Sequence, residues 1–146
     1  MNEKIILLVE DNPDDVDLTI RSLEKNAISN KVVVAGDGVE ALDYIFCKGK
    51  YKDRNIKDLP TIVLLDLKLP KIDGFEVLKA IRSNEFTKYL PVIILTSSRE
   101  EQDIIKGYHN GANSYIRKPV EFEQFHEAIK TLGLYWLIFN EPPINK

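Results

Sequence analysis

The chain has 146 residues, with 20 basic and 23 acidic side chains and a net charge of −3. That length fits one domain able to bury about two-thirds of its unfolded surface, and the mild negative charge argues against a nucleic-acid binder. The one cysteine, Cys47, excludes an internal disulfide and fits a reducing compartment, and no run reaches the ~18 apolar residues of a membrane span.

The first predicted strand is the unbroken apolar run Ile5-Ile6-Leu7-Leu8-Val9. That five-residue run is too short for a signal-peptide core and is followed by acids, so a cytoplasmic location is expected. A helix follows. Asn12 can cap it, Pro13 suits its first position, and Asp14, Asp15 and Asp17 sit near the positive end of its dipole. Its apolar stripe is Val16, Ile20, Leu23 and Ala27. The second strand is residues 32–35, and the second helix opens on Asp37-Gly38-Val39-Glu40, with the spacing of a capping box. Residues 48–58 then form a long basic-polar loop, read as a tolerated surface insertion.

The third strand is residues 62–65, and the third helix opens on Asp73-Gly74-Phe75-Glu76, again box-like. The fourth strand is residues 92–95. The fourth helix is expected to start near Ser97 or Ser98, with Glu100 and Glu101 as box partners. Residues 113–117 are more polar and suit an edge strand, and the fifth helix starts after Pro119. Runs without alternation are what strands buried on both faces look like. Five alternations of strand and helix therefore predict an α/β fold, a doubly wound parallel sheet of order 2-1-3-4-5. The core is expected over about residues 4–133, with an apolar helix extension and a proline-containing tail over 134–146. The chain is read as a single domain that acts alone.

The last helix carries Phe122, Phe125, Ile129, Leu132, Trp136 and Phe139 on one stripe. Residues 134–139 are apolar all round, which calls for a second buried face. Ala128, Tyr135 and Ile138 lie on that face, so a two-fold homodimer through the last helix is expected. His109 and His126 are read as surface groups with no metal-ligand spacing.

In such sheets the ligand sits beyond the carboxyl ends of the strands. Strand 1 ends in Glu10-Asp11, strand 3 in Asp66, strand 4 in Thr96-Ser97 and strand 5 in Lys118-Pro119. Three carboxylates brought together repel, by about 4 kcal/mol per pair at ~4 Å and an effective dielectric near 20. A bound cation, a lysine or a shifted pKa must offset that. Hard oxygen ligands in small number suit Mg²⁺. Asp66 can act as a nucleophile toward phosphorus, Asp11 and Glu10 can hold the metal, and Thr96 and Lys118 can donate to phosphoryl oxygens.

With those residues in hand, the chain resembles the receiver domains of two-component response regulators, which have the flavodoxin-like fold. The matching segments are Val9-Glu10-Asp11-Asn12, Leu65 to Gly74 including Asp66-Leu67-Lys68-Leu69-Pro70, Leu95-Thr96-Ser97, and Tyr115-Ile116-Arg117-Lys118-Pro119. The resemblance covers about residues 4–133. It implies that Asp66 accepts a phosphoryl group from a sensor histidine kinase and that Mg²⁺ or Mn²⁺ is held by Asp11, Asp66 and the Lys68 backbone carbonyl, with Glu10 acting through water. It further implies Thr96 and Ser97 at the phosphate, Lys118 pairing with it, Tyr115 as the switch aromatic and a cis bond before Pro119. The loop and tail resemble single-domain regulators of phytochrome-like kinases. The output would be protein contact or phosphorelay, without an enzymatic activity beyond self-catalysed phosphoryl transfer and autodephosphorylation. The competing reading is a metal-dependent phosphatase of the haloacid-dehalogenase type, which wants an acid two residues after its nucleophile, where Lys68 stands.

Overall fold

The computed structural model describes residues 4–25, 31–97, 100–118, 122–136, 140, 141 and 143. Five strands are present: β1 (Ile5–Val9), β2 (Lys31–Ala35), β3 (Ile62–Leu65), β4 (Val92–Thr96) and β5 (Ser114–Arg117). They alternate with five helices: α1 (Pro13–Lys25), α2 (Gly38–Phe46), α3 (Gly74–Arg82), α4 (Glu101–His109) and α5 (Phe122–Leu134). The strands form one parallel sheet in the order β2-β1-β3-β4-β5. The two central strands, β1 and β3, are nearly sealed, whereas β2 and β5 are half-exposed edges. This is the expected doubly wound architecture.

Side chains of alternate strand residues leave the sheet on opposite faces, and the core divides accordingly. Leu7, Val9, Val63, Leu65, Val92 and Ile94 pack against α2 and α3 residues such as Ile45, Leu78 and Ile81. Ile6, Leu8, Ile62, Leu64, Ile93 and Leu95 pack on the other face with Leu23 of α1 and Trp136. α1 and α5 pack together on that second face.

The helix starts bear out most of the capping chemistry. Asn12 Oδ1 accepts from Asp14 N at 2.9 Å and Asp15 N at 3.3 Å. The Asp37 and Asp73 side chains accept from Glu40 N at 2.8 Å and Glu76 N at 3.0 Å. Glu40 does not close a reciprocal box on Asp37. Its carboxylate accepts instead from Gly36 N at 3.0 Å and Tyr51 OH at 2.9 Å, and pairs with Lys50 Nζ at 2.8 Å. Those contacts hold its carboxyl far below the ordinary range, at about 2, with Lys50 the main cause.

Three readings need correction. α4 starts later than expected: Glu100 is its cap residue and its side chain makes no capping hydrogen bond, while Ser97 is an exposed bend. The buried face of α1 is centred on Thr19, Ser22 and Leu23, while Val16 and Ile20 are only half-buried. A hydroxyl tolerates that burial when it can return a bond to its own helix, as Thr19 Oγ1 does to Asp15 O at 2.8 Å. His126 is buried, at 5 % exposure, because α5 turns this residue inward. The long loop, residues 48–58, keeps contact with the end of α2. It contains a turn of 3₁₀ helix (Gly49–Tyr51), and Arg54 reaches back to Tyr44 O, to Cys47 Sγ at 3.6 Å and over the Tyr44 ring at 3.7 Å. Asn140 N donates to Tyr135 O at 2.7 Å. Ala27, Pro119 and Ile138 lie outside the described residues, so the last stripe position of α1, the bond before Pro119 and one interface candidate are not placed.

Candidate phosphoacceptor site

Parallel register brings the carboxyl ends of β1 and β3 side by side, with Val9 opposite Leu65. Asp66 N donates to Val9 O at 3.0 Å and Glu10 N to Ala35 O at 3.0 Å, so both acids leave the sheet from hydrogen-bonded backbone. Glu10 and Asp66 are buried, at 4 % and 7 % exposure, and Asp11 is exposed. One carboxylate oxygen from each of Glu10, Asp11 and Asp66 lies within 4.8 Å of the others. The backbone beyond Asp66 supports the group: Lys68 N faces Asp66 Oδ1 at 3.4 Å, and Asn12 N donates to Glu10 Oε2 at 3.3 Å. The exposed Lys68 lines a shallow cleft together with Asp11, Phe75 and Asp103.

Gly74 explains how close the site is built. Its N–H donates to Leu67 O at 2.8 Å, and a Cβ there would fall 2.3 Å from Asp66 O. No side chain fits, so only glycine lets the start of α3 close over the residues after Asp66.

Lys118 enters from the end of β5. Its N–H donates to Thr96 O at 2.7 Å, which ties the ends of β4 and β5 together. Its Nζ contacts Glu10 Oε1, Asp15 Oδ2 at 2.8 Å and Asp66 Oδ2 at 3.3 Å. The ammonium thus offsets the repulsion that three neighbouring acids create. Burial alone would lower the lysine, but its bonds to Asp15 and Glu10, with the charge of Asp66, outweigh burial and hold it above the usual lysine range. Burial has the upper hand at Glu10. Its carboxyl is pushed up to about 7 by desolvation and by the neighbouring Asp66, despite the bond from Lys118.

The expected residues therefore converge: Glu10, Asp11, Asp66 and Lys118 share one cluster. Thr96 ends β4 with no exposure, beside it. Ser97 is exposed. Tyr115 lies farther along β5, half-buried, with its ring against α4 where Gly107 leaves room: a Cβ on Gly107 would stand 3.2 Å from Tyr115 Cδ2. Two residues were not singled out from the sequence. Gly74 appears there only as part of a capping motif. Asp15 appears only as a helix-start acid, although it follows Asp11 by one helical turn, the one signal that it could face the same rim.

A family model described as the response regulator receiver domain matches residues 6–130. The probable methanogenesis regulatory protein FilR2 of Methanothrix harundinacea is 39% identical over 139 residues, 95% of this chain and 87% of its own length. The response regulator Rcp1 of Synechocystis is 34% identical over 134 residues, covering 92% of this chain and 89% of its own. The crystal structure of the Mn²⁺-bound form of Rcp1 matches with a TM-score of 0.87 at 33% identity, over 97% of this chain and 99% of that one. The crystal structure of the phosphorylated cyanobacterial phytochrome response regulator RcpA matches with a TM-score of 0.89 at 36% identity, over 98% and 100%.

Proposed function

This chain belongs to the response regulator receiver domain family, and we propose that it accepts a phosphoryl group on Asp66 and signals by contact with other proteins. The observation that carries the reading is Lys118 Nζ seated between Asp66 and Glu10, with Asp11 at the open side. Asp66 offers one carboxylate oxygen to Lys118 and turns the other toward Lys68 N. A carboxylate in that position can attack phosphorus and form an acyl phosphate. Lys118 then keeps a donor beside the new phosphoryl oxygens, and Thr96 at the end of β4 supplies a hydroxyl to them.

The donor set fits a hard divalent cation. Carboxylate oxygens alone, in small number and open to solvent on the Asp11 side, suit Mg²⁺ or Mn²⁺. Asp11 and Asp66 would hold it with the Lys68 carbonyl, and Glu10 through water. When bound, the ion spreads charge on the transferring group. The phosphatase alternative lacks its second acid, since the exposed Lys68 stands two residues after Asp66.

The phosphoryl source in this reading is a sensor histidine kinase of phytochrome-like type, in keeping with the similarity to RcpA. Transfer and loss of the phosphoryl group are catalysed by the chain itself. Thr96 and Tyr115 carry the change outward, the hydroxyl moving toward the phosphoryl group and the ring into the space released. Ser97 adds a second hydroxyl at the mouth. The output is association, with a homodimer through α5 at Ala128, Tyr135 and Ile138. Among the described residues no helix is long and apolar enough to cross a membrane, and a cytoplasmic location agrees with that.

Incubation with acetyl phosphate and Mg²⁺ followed by intact-mass measurement tests the assignment. Wild type gains one phosphoryl group and Asp66→Asn gains none. Equal gain by both proteins overturns it.

A further inference from the structure

We propose that Asp15 is a positioning residue, one that holds Lys118 in the unphosphorylated protein and releases it when Asp66 is phosphorylated. The inference rests on Asp66 being the phosphoacceptor. A lysine ammonium has three N–H donors and no acceptor. Lys118 Nζ faces three carboxylates, those of Glu10, Asp15 and Asp66, the last two at 2.8 and 3.3 Å. Its donors are therefore filled. A phosphoryl group on Asp66 takes over the donor that Asp66 held and adds about two negative charges, which draw the ammonium inward, so a contact on its outer side must open.

The partners differ in what they lose, and Asp66, once an acyl phosphate, is no longer a carboxylate to be left unpaired. The side chains of Glu10 and Asp66 are 3% and 10% exposed, whereas that of Asp15 is 33% exposed. A buried carboxylate stripped of its partner keeps its desolvation penalty, while one at the surface regains water. Asp15 is the contact that opens. Its place on α1 does not depend on Lys118, because its N–H is held by Asn12 Oδ1 at 3.3 Å. Lys118 likewise keeps its backbone bond to Thr96 O at 2.7 Å, so only the lysine side chain has to move.

The Asp15–Lys118 pair thus belongs to the resting state alone. A pair present in one of two states biases the balance between them by its own strength. Removing Asp15 favours the phosphoryl-bound state, and a partly exposed ion pair is worth roughly a threefold to fivefold change.

The test is a fluorine NMR titration of the full chain with beryllofluoride, a phosphoryl mimic, at saturating Mg²⁺. Asp15→Asn binds beryllofluoride roughly threefold to fivefold more tightly than wild type. Asp15→Ser, a second variant in case the first folds poorly, does the same, and Asp15→Glu restores the wild-type value. A loosened α1 would weaken binding instead, so the direction separates positioning from structural damage. Asp14→Asn removes the same charge from an exposed neighbour that does not touch Lys118, and it leaves binding unchanged. Unaltered or weaker binding by Asp15→Asn and Asp15→Ser, or equal tightening by Asp14→Asn, overturns the proposal. A wild type that shows no bound signal overturns the phosphoacceptor reading, and this inference with it.

Discussion

Glu10 and Lys118 share one bond yet respond to their surroundings in opposite ways. Glu10 is pushed up to about 7, first by burial and then by Asp66. Folding therefore takes up a proton at Glu10 between pH 4.5, its ordinary value, and pH 7. In that window the folded state binds more protons than the unfolded state, so stability falls as pH rises and levels off above about 7. In metal-free buffer Glu10→Gln removes the penalty. It should unfold at higher temperature than wild type at pH 8, with a gain of about 1–3 kcal/mol. The gain should vanish below pH 4.5, where wild type is neutral at this position in both states. Calorimetry at the two pH values checks both the sign and the window. A cluster of acids at the strand ends was legible because each acid directly follows an apolar run. The role of Asp15 was not: its partner Lys118 is 103 residues away, and a helix-start acid is ordinarily explained by the dipole.

Among the elements, α4 and β5 meet through a missing side chain. Gly107 is buried in α4, and a Cβ there would come 2.8 Å from Ile94 Cδ1 and 3.2 Å from Tyr115 Cδ2. Gly107→Ala gains about 1 kcal/mol of helix propensity but overpacks a sealed contact, which costs about 1–3 kcal/mol. A net loss of about 1 kcal/mol in urea unfolding is expected, together with an altered Tyr115 environment in near-ultraviolet circular dichroism. The strands were read well from sequence. Apolar runs with no alternation are what strands buried on both faces look like, and β1 and β3 fall at the expected residues, although the equally apolar β2 is a half-exposed edge. The start of α4 was misread because serine is a common cap. Here Thr96 stays in the strand, Ser97 bends, and the helix begins only at Glu101. The return of Arg54 from the loop before β3 to Tyr44 and Cys47 was not legible, because nothing local in the sequence shows it.

For the molecule as a whole, the two layers of helices are not equally closed. α5 is covered on one side by α1, and His126 is buried in it. Ala128 is half-buried and Tyr135 is 52% exposed, its ring set edge-on to Trp136 at 5.1 Å. A second copy of α5 laid across these residues would remove apolar surface from water. Light scattering at micromolar concentration should give the mass of a dimer for wild type. Tyr135→Glu, which places a charge in that face, should shift the protein to the monomer and leave the intact-mass gain at Asp66 unchanged. A wild type that scatters as a monomer with and without beryllofluoride removes the dimer from the account. The sheet order and the rim of acids followed from the alternation of elements. The buried histidine did not, because it depends on how α1 and α5 share one face.

Every replacement of Gly74 adds a carbon atom 2.3 Å from the carbonyl oxygen of Asp66. Descendants of this chain can drift at Lys68, whose side chain stands in solvent. A copying error in the Gly74 codon has no such freedom, since it displaces the backbone of the proposed phosphoacceptor. Inheritance at this position is therefore policed by a neighbour across the loop, and a lineage could lose its glycine only by rebuilding the approach of α3 to β3 at the same time.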